Sequence, residues 1–131
     1  MKTNIYFKYL TIFLYAVAIH SFLVGIALIF IPASALTFFG FNDYKESFFQ
    51  AQGGIFHIAM SIAYFMAARR INNSEALIHF IILVKLLAAV FLFSYAILAF
   101  TNWLILLSAL SDGIMCAVIA YLFTHIRNEI K

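Results

Sequence analysis

Four ionisable side chains lie deep inside long apolar segments of this 131-residue chain. They are His20, His57, Lys85 and Asp112, one in each segment, and each lies within three residues of the centre of its segment. If the segments are membrane-spanning helices, a rise of about 1.5 Å per residue places all four within roughly 5 Å of the bilayer midplane. Ionisable residues are costly at that depth and commonly mark ligand sites or proton paths. An ammonium, a carboxylate and two imidazoles can bind a polar group or exchange protons.

The four apolar segments are long enough to cross a hydrocarbon layer about 30 Å thick. The chain is 66% hydrophobic and only 10% charged, whereas soluble domains are about 25% charged. Since backbone groups in lipid must be satisfied within each segment, the segments are expected to be α-helices. The sequence therefore predicts one domain, 1–131, that is an all-α four-helix transmembrane bundle. The predicted spans are 6–31, 48–68, 76–100 and 103–124.

The basic residues predict the orientation of these spans. Six of the eight occur at the N-terminus, the second connection or the C-terminus, whereas Lys45 alone lies in the first connection. The positive-inside rule then places both termini in the cytoplasm, which fits a bacterial inner-membrane protein. The six are Lys2, Lys8, Arg69, Arg70, Arg127 and Lys131. The net charge of +3 is interpreted as a topology signal, and no basic cluster indicates nucleic acid. The first segment exceeds the roughly 7 to 15 apolar residues of a signal peptide and is interpreted as a retained span.

The connections between the spans are short. Ser74 is a candidate N-cap for the third helix, and Asp43 with Glu46 fits a capping box that opens the second. Pro32 is expected to end the first helix, and the segment after it is predicted to be an interfacial turn. Its aromatic residues are expected at headgroup level: Phe38, Phe39, Phe41 and Tyr44.

Lys85 is predicted to pair with Asp112. The connection 101–102 makes the third and fourth helices neighbours, so the two side chains can meet at one depth. An isolated charge at a helix centre costs about 2.5 to 3.5 kcal/mol, and an opposite charge 4 Å away offsets about 4 kcal/mol before desolvation is counted. The alternative is that the pair is only a structural lock that fixes the helix register.

Polar and small side chains share a face with these residues on two helices. His57 is a candidate for ligand binding or proton exchange. The alternative is a neutral imidazole that forms a hydrogen bond with Ser61, Tyr64 or water, and packing is the alternative role of the whole stripe. On the second helix the stripe contains Gln50, Gly53, Gly54, His57, Ser61 and Tyr64, and on the fourth it contains Ser108, Asp112 and Cys116. His20 has a mostly apolar face and is the weakest member of the set. Ala18 and Gly25 are candidates for an outward face that contacts a partner helix.

Several chemistries remain open for this set. His20 and His57 could be axial ligands of haem, or ligands of a metal ion together with Asp112, although no spacing motif supports a metal site. Cys116 is the only cysteine, which excludes an internal disulfide or a paired-thiol redox centre. The charge of Asp112, one turn away, also disfavours a thiolate nucleophile. No catalytic residue or metal site is therefore assigned.

Two stretches carry a resemblance to a known family. The second helix, "QAQGGIFHIAMSIAYFMAARR", and the start of the fourth, "LSALSDG", resemble the small bacterial membrane proteins called DoxX-like or BphX-like. The resemblance implies a four-helix membrane bundle and, for some relatives, association with oxidoreductase or catabolic systems. It transfers no catalytic residue to this chain.

The function expected from these features is that of a non-enzymatic accessory or ligand-binding component. Its site comprises His57, Lys85 and Asp112, with His20 and Gln50 in support. Its partners are the lipid bilayer, a small polar ligand or quinone, and either a larger membrane complex or further copies of the chain. The alternative is a proton-coupled carrier, or an oxidoreductase subunit that handles a quinone or metal. A carrier or enzyme predicts a cavity around His57, whereas an accessory subunit predicts a closed ion pair and an outward face of small residues.

Overall fold

The computed structural model of the protein describes residues 5–41 and 47–130, and these residues form helices joined by short connections, with no strand. The helices are α1 (Ile5–Phe30), α2 (Ala33–Phe38), α3 (Phe48–Arg69), α4 (Glu75–Leu98) and α5 (Trp103–Ile130), with a single 3₁₀ turn (Ile71–Asn73) between α3 and α4. Four of them, α1, α3, α4 and α5, are long and apolar enough to cross a membrane. The predicted all-α architecture with four candidate spans is confirmed.

The helix boundaries differ from the predicted ones mainly at the end of α4 and at the end of α5. The helix α4 ends at Leu98, two residues early, and α5 continues to Ile130, six residues beyond the predicted span. The segment after Pro32 forms α2 instead of a plain turn. The helix α2 ends where Gly40 adopts a φ of +86°, a conformation in which side chains other than glycine's are strained. The proposed capping box at Asp43 and Glu46 lies outside the described residues.

Ser74 occupies the N-cap position of α4, as predicted, but it does not cap that helix with its side chain. Its hydroxyl donates to the carbonyl oxygen of Arg70, 2.7 Å away. The backbone of Ser74, with φ −115° and ψ 22°, is not in the extended conformation usual for an N-cap residue. Ser74 therefore stabilises the turn before α4 and leaves the first N–H groups of α4 without a side-chain cap.

The helices pack as two close pairs, α1 with α3 and α4 with α5, whereas α1 meets α5 less extensively and α3 meets α4 only slightly. The half of the bundle that contains the beginning of α1 holds the large buried side chains. They are Leu10, Leu14, Tyr64, Ile78, Ile81, Ile119, Phe123 and Ile126. In the other half the buried positions are mostly small residues, among them Ser21, Gly25, Gly54, Ala89, Ala96 and Ala109. The bundle is thus densely packed at one end and opens between its two pairs toward the other.

Gly25 and Gly54 bring α1 and α3 into direct backbone contact. A Cβ atom placed on Gly25 would lie 2.7 Å from the carbonyl oxygen of Gly54, and one placed on Gly54 would lie 2.7 Å from that of Gly25. Small residues of this kind allow close helix approach in membranes. Gly25 and Ala18 are buried, so the expectation that they form an outward face was wrong.

Candidate functional site

Lys85 and Asp112 form the predicted ion pair across the α4–α5 interface. The distance from Lys85 Nζ to Asp112 Oδ1 is 2.5 Å, and the two side chains are 4% and 14% exposed. Ala89 on α4 lies opposite Gly113 on α5, where an added Cβ would be 3.9 Å from the alanine methyl group. The small residues beside the pair let the two helices approach closely enough for a short, charge-assisted hydrogen bond.

Tyr64 supplies a second contact for the ammonium group from α3. The Lys85 Nζ atom lies 5.4 Å from the centroid of the Tyr64 ring, within the range of a cation–π interaction. The tyrosine is 1% exposed, and its hydroxyl makes no hydrogen bond to other described residues. Tyr64 therefore stabilises the charge of Lys85 with its ring and leaves its hydroxyl available to a bound molecule.

His57 is held by Ser21 of α1 instead of by Ser61 or Tyr64. The Ser21 hydroxyl lies 2.9 Å from the His57 carbonyl oxygen and 3.3 Å from Nδ1 of the same residue. A hydroxyl carries one hydrogen, and we assign it to the shorter contact, with the His57 carbonyl oxygen. The contact with Nδ1 is then a hydrogen bond in which Nδ1–H donates to the serine oxygen. This assigned tautomer leaves Nε2 with a free lone pair. The backbone and the ring of His57 are thus both fixed from α1.

These residues line one cleft between α3 and α4, which contact each other only slightly. The cleft has a volume of about 260 Å³, and its polar lining is His57, Tyr64, Lys85 and Asp112. Its remaining lining is apolar and comprises Phe56, Met60, Val84, Ala88, Phe91 and Leu92. A small number of polar groups in an apolar concavity is typical of small-molecule sites. Both predicted features are therefore present. The cavity around His57 is the one expected of a carrier or an enzyme, and the closed pair of Lys85 and Asp112 is the one expected of an accessory subunit.

His20 does not join this cleft. It is exposed and lines a separate groove of about 400 Å³ between α1 and α5, together with Ser111 and apolar residues. Ser21, the next residue, is the one that faces His57. The structure therefore places His20 in a different groove from the other three residues of the expected chamber.

Four further predicted site residues have structural roles elsewhere. Gln50 donates from Nε2 to the carbonyl oxygens of Leu28 and Ile31, at 2.7 and 3.3 Å, and so caps the end of α1. The Ser61 hydroxyl donates to the Ile58 carbonyl oxygen, and the exposed Ser108 hydroxyl donates to that of Leu104. The buried Cys116 thiol donates to the Ile82 carbonyl oxygen at 3.4 Å. None of the four lines the cleft.

Ser21, Phe56 and Met60 belong to the site but were missed in the sequence. Ser21 lies next to His20 in a segment whose apolar composition has almost no periodicity, so nothing in it distinguished the face toward α3. Phe56 and Met60 are ordinary apolar residues of a helix that is mostly apolar. The signal that could have identified Ser21 is its position one turn before Gly25, since small residues mark the face of closest helix approach.

The histidines do not form a pair for haem, because His20 and His57 line different clefts. Across residues 5–41 and 47–130, no three His, Cys, Asp or Glu side chains converge closely enough to hold a metal ion. The polar groups of the α3–α4 cleft instead fit hydrogen bonding and charge recognition.

Comparisons with protein-family models, with curated proteins and with solved structures find no match to this chain. The site must therefore be interpreted from its own geometry.

Proposed function

We propose that the protein is a non-enzymatic membrane component that binds a small molecule with a polar headgroup in the α3–α4 cleft. The observation that carries this proposal is the convergence of His57, Tyr64, Lys85 and Asp112 on one cavity of about 260 Å³. A structural lock needs only the ion pair. It does not need a fixed imidazole and a tyrosine hydroxyl that, among the described residues, both lack a hydrogen-bond partner on the cleft side.

The ligand is expected to enter from the bilayer. The cleft opens between two helices that contact each other only slightly, and Phe56 and Phe91 at its edge are both exposed. A molecule with an apolar body can lie against such an edge while its polar end reaches the midplane. A quinone and a lipid-like carbonyl compound both have that shape.

Each polar group of the cleft has a separate role in this proposal. The Nε2 atom of His57 accepts a hydrogen bond, the Tyr64 hydroxyl donates one, and the Lys85 ammonium group supplies positive charge that Asp112 balances in the absence of ligand. An acceptor oxygen on the ligand would face Tyr64 and Lys85, and a hydroxyl or protonated group would face His57. Proton exchange at His57 is the feature that favours the second candidate function, a proton-coupled carrier.

The cellular setting is part of the same proposal. The distribution of basic residues supports a bacterial inner-membrane protein with both termini in the cytoplasm. The four-helix architecture agrees with the DoxX-like or BphX-like resemblance, which would make the chain an accessory of a larger membrane system or a homo-oligomer. The alternative of an oxidoreductase subunit is supported only by that resemblance.

The test compares bound small molecules in the wild type, His57→Ala, Tyr64→Phe and the matched control Ser108→Ala. Each protein is extracted with its surrounding bilayer and examined by native mass spectrometry and thermal unfolding. The wild type and Ser108→Ala should carry the same bound mass, whereas His57→Ala should lose it with a stability change below about 1 kcal/mol. No bound mass in the wild type, or equal retention by His57→Ala, would contradict ligand binding in this cleft. Unfolding of His57→Ala would support a packing role.

A further inference from the structure

A further cavity lies where α3 ends, away from the ion pair. Its volume is about 550 Å³, and it lies between the end of α3 and the start of α4. Its polar lining is Arg69, Arg70, Asn73 and Ser74, and its apolar lining is Phe65, Met66, Ala76 and Leu77. None of these residues lines the α3–α4 cleft that contains Lys85.

Among the side chains that the structure describes, no acidic group pairs with either arginine. The ion pairs found in the described part of the chain are Lys85–Asp112 and Arg127–Glu75. Arg69 lies 5.9 Å from the centroid of the Phe65 ring, which orients its side chain but does not neutralise it. Glu75, the acidic residue at the start of α4, is 4.0 Å from Arg127 and does not line the cavity.

The polar groups of the cavity are available to an anion. The Asn73 side-chain amide makes no hydrogen bond within the described residues. The Ser74 hydroxyl already donates to the backbone carbonyl oxygen of Arg70. Guanidinium groups bind phosphate oxygens through two parallel hydrogen bonds, and an amide N–H adds a further donor. Two arginines and one amide therefore match a phosphate group.

The cavity changes from polar to apolar along the axis of α3. Phe65 and Met66 precede Arg69 and Arg70 by one helical turn, a distance of about 6 Å along the membrane normal. Leu77 continues the apolar wall on α4. A phospholipid has the same order, with a charged headgroup at the interface and acyl chains below it, whereas free phosphate has no part that would contact the apolar wall.

We propose that this cavity binds an anionic phospholipid, with Arg69 and Arg70 on its phosphate group, Asn73 as a hydrogen-bond donor, and the first part of an acyl chain against Phe65 and Leu77. Basic pockets between transmembrane helices bind anionic headgroups in this way. The site is independent of the proposed ligand cleft and of which side of the membrane it faces.

The experiment measures thermal unfolding of the detergent-solubilised protein with added dioleoylphosphatidylglycerol, dioleoylphosphatidylcholine or inorganic phosphate. Phosphatidylglycerol should stabilise the wild type more than the other two. In Arg69→Gln/Arg70→Gln its apparent affinity should fall about 10- to 30-fold. The control Lys8→Gln/Arg127→Gln removes the same charge from exposed positions outside the cavity and should keep most of the affinity.

Three results would overturn the proposal. They are an equal loss in the control, an unchanged response of Arg69→Gln/Arg70→Gln, and full stabilisation by inorganic phosphate, which would indicate an anion site without a lipid. If the glutamine variant does not fold, Arg69→Lys/Arg70→Lys retains the charge. It should still respond more to phosphatidylglycerol than to phosphatidylcholine, although less than the wild type because lysine cannot make the two parallel hydrogen bonds. Equal responses of the lysine variant to the two lipids would also contradict the proposal.

Discussion

The Lys85 ammonium group lies among helices whose other faces are apolar, and its stability there depends on two residues. Asp112 accepts its hydrogen bond at 2.5 Å, and the Tyr64 ring lies 5.4 Å away on another helix. Burial of both charges is costly, so the pair contributes little net stability, but loss of one partner leaves an uncompensated charge. At the residue scale, the pair is therefore important because neither charge can remain alone.

Replacement of Lys85 alone should destabilise the protein far more than replacement of both residues. Lys85→Met should lower the free energy of unfolding by about 3 to 5 kcal/mol because it leaves Asp112 without its partner, whereas Lys85→Met/Asp112→Leu should recover much of the loss. The measurement is a double-mutant cycle of unfolding in detergent, with Asp112→Leu as the other single variant. Equal stability of Lys85→Met and the double variant would show that the pair makes no coupled contribution.

At the scale of helices, the position of His57 depends on the close contact between α1 and α3. The contact is closest at Gly25 and Gly54, one turn from Ser21 and His57 respectively. Ser21 can reach both the backbone and the ring of His57 only because the two helices approach so closely. A change at either glycine should therefore affect the site as well as the fold.

Two adjacent glycines on α3 provide a matched test of this contact. Gly54→Ala would place a Cβ 2.7 Å from a backbone oxygen of α1 and should cost about 1 to 3 kcal/mol because the helices must separate. Gly53→Ala would meet no atom within 4 Å and should change stability by about 0 to +1 kcal/mol, since alanine favours a helix over glycine. Thermal unfolding of both variants measures the difference. Similar stabilities would show that close α1–α3 contact is not required.

At the scale of the whole molecule, the bundle is densely packed in one half and open in the other. Bulky side chains such as Leu14, Ile81 and Ile119 are fully buried in the half that contains the beginning of α1. The opposite half is joined at its end by Asn102, which donates to the Phe39 carbonyl oxygen at 2.9 Å and accepts a hydrogen bond from the Leu104 N–H at 2.8 Å. This arrangement keeps the helices together while the α3–α4 cleft and the α1–α5 groove stay open near the middle of the bundle.

The proposed orientation can be tested with single cysteines in a Cys116→Ala background. Asn72 lies between α3 and α4, Thr101 lies between α4 and α5, and both are exposed. With both termini in the cytoplasm, a membrane-impermeant maleimide added to intact spheroplasts should label Thr101→Cys but not Asn72→Cys. Both should react after lysis, which controls for accessibility. The opposite pattern would reverse the orientation and contradict the assignment from the basic residues.

The sequence alone determined the number of candidate spans and the ion pair. Hydrophobic length sets the number of spans because lipid allows no unpaired backbone, and a buried lysine in a short helical hairpin requires a nearby carboxylate. Only the tertiary structure decided between which helices the clefts open, because the apolar surfaces of α1 and α4 are nearly uniform around their axes. It placed His20 and His57 in different clefts, moved Gln50 to the end of α1 and brought Ser21 to His57. These outcomes depend on rotations of whole helices, which for α1 and α3 the contact between Gly25 and Gly54 fixes.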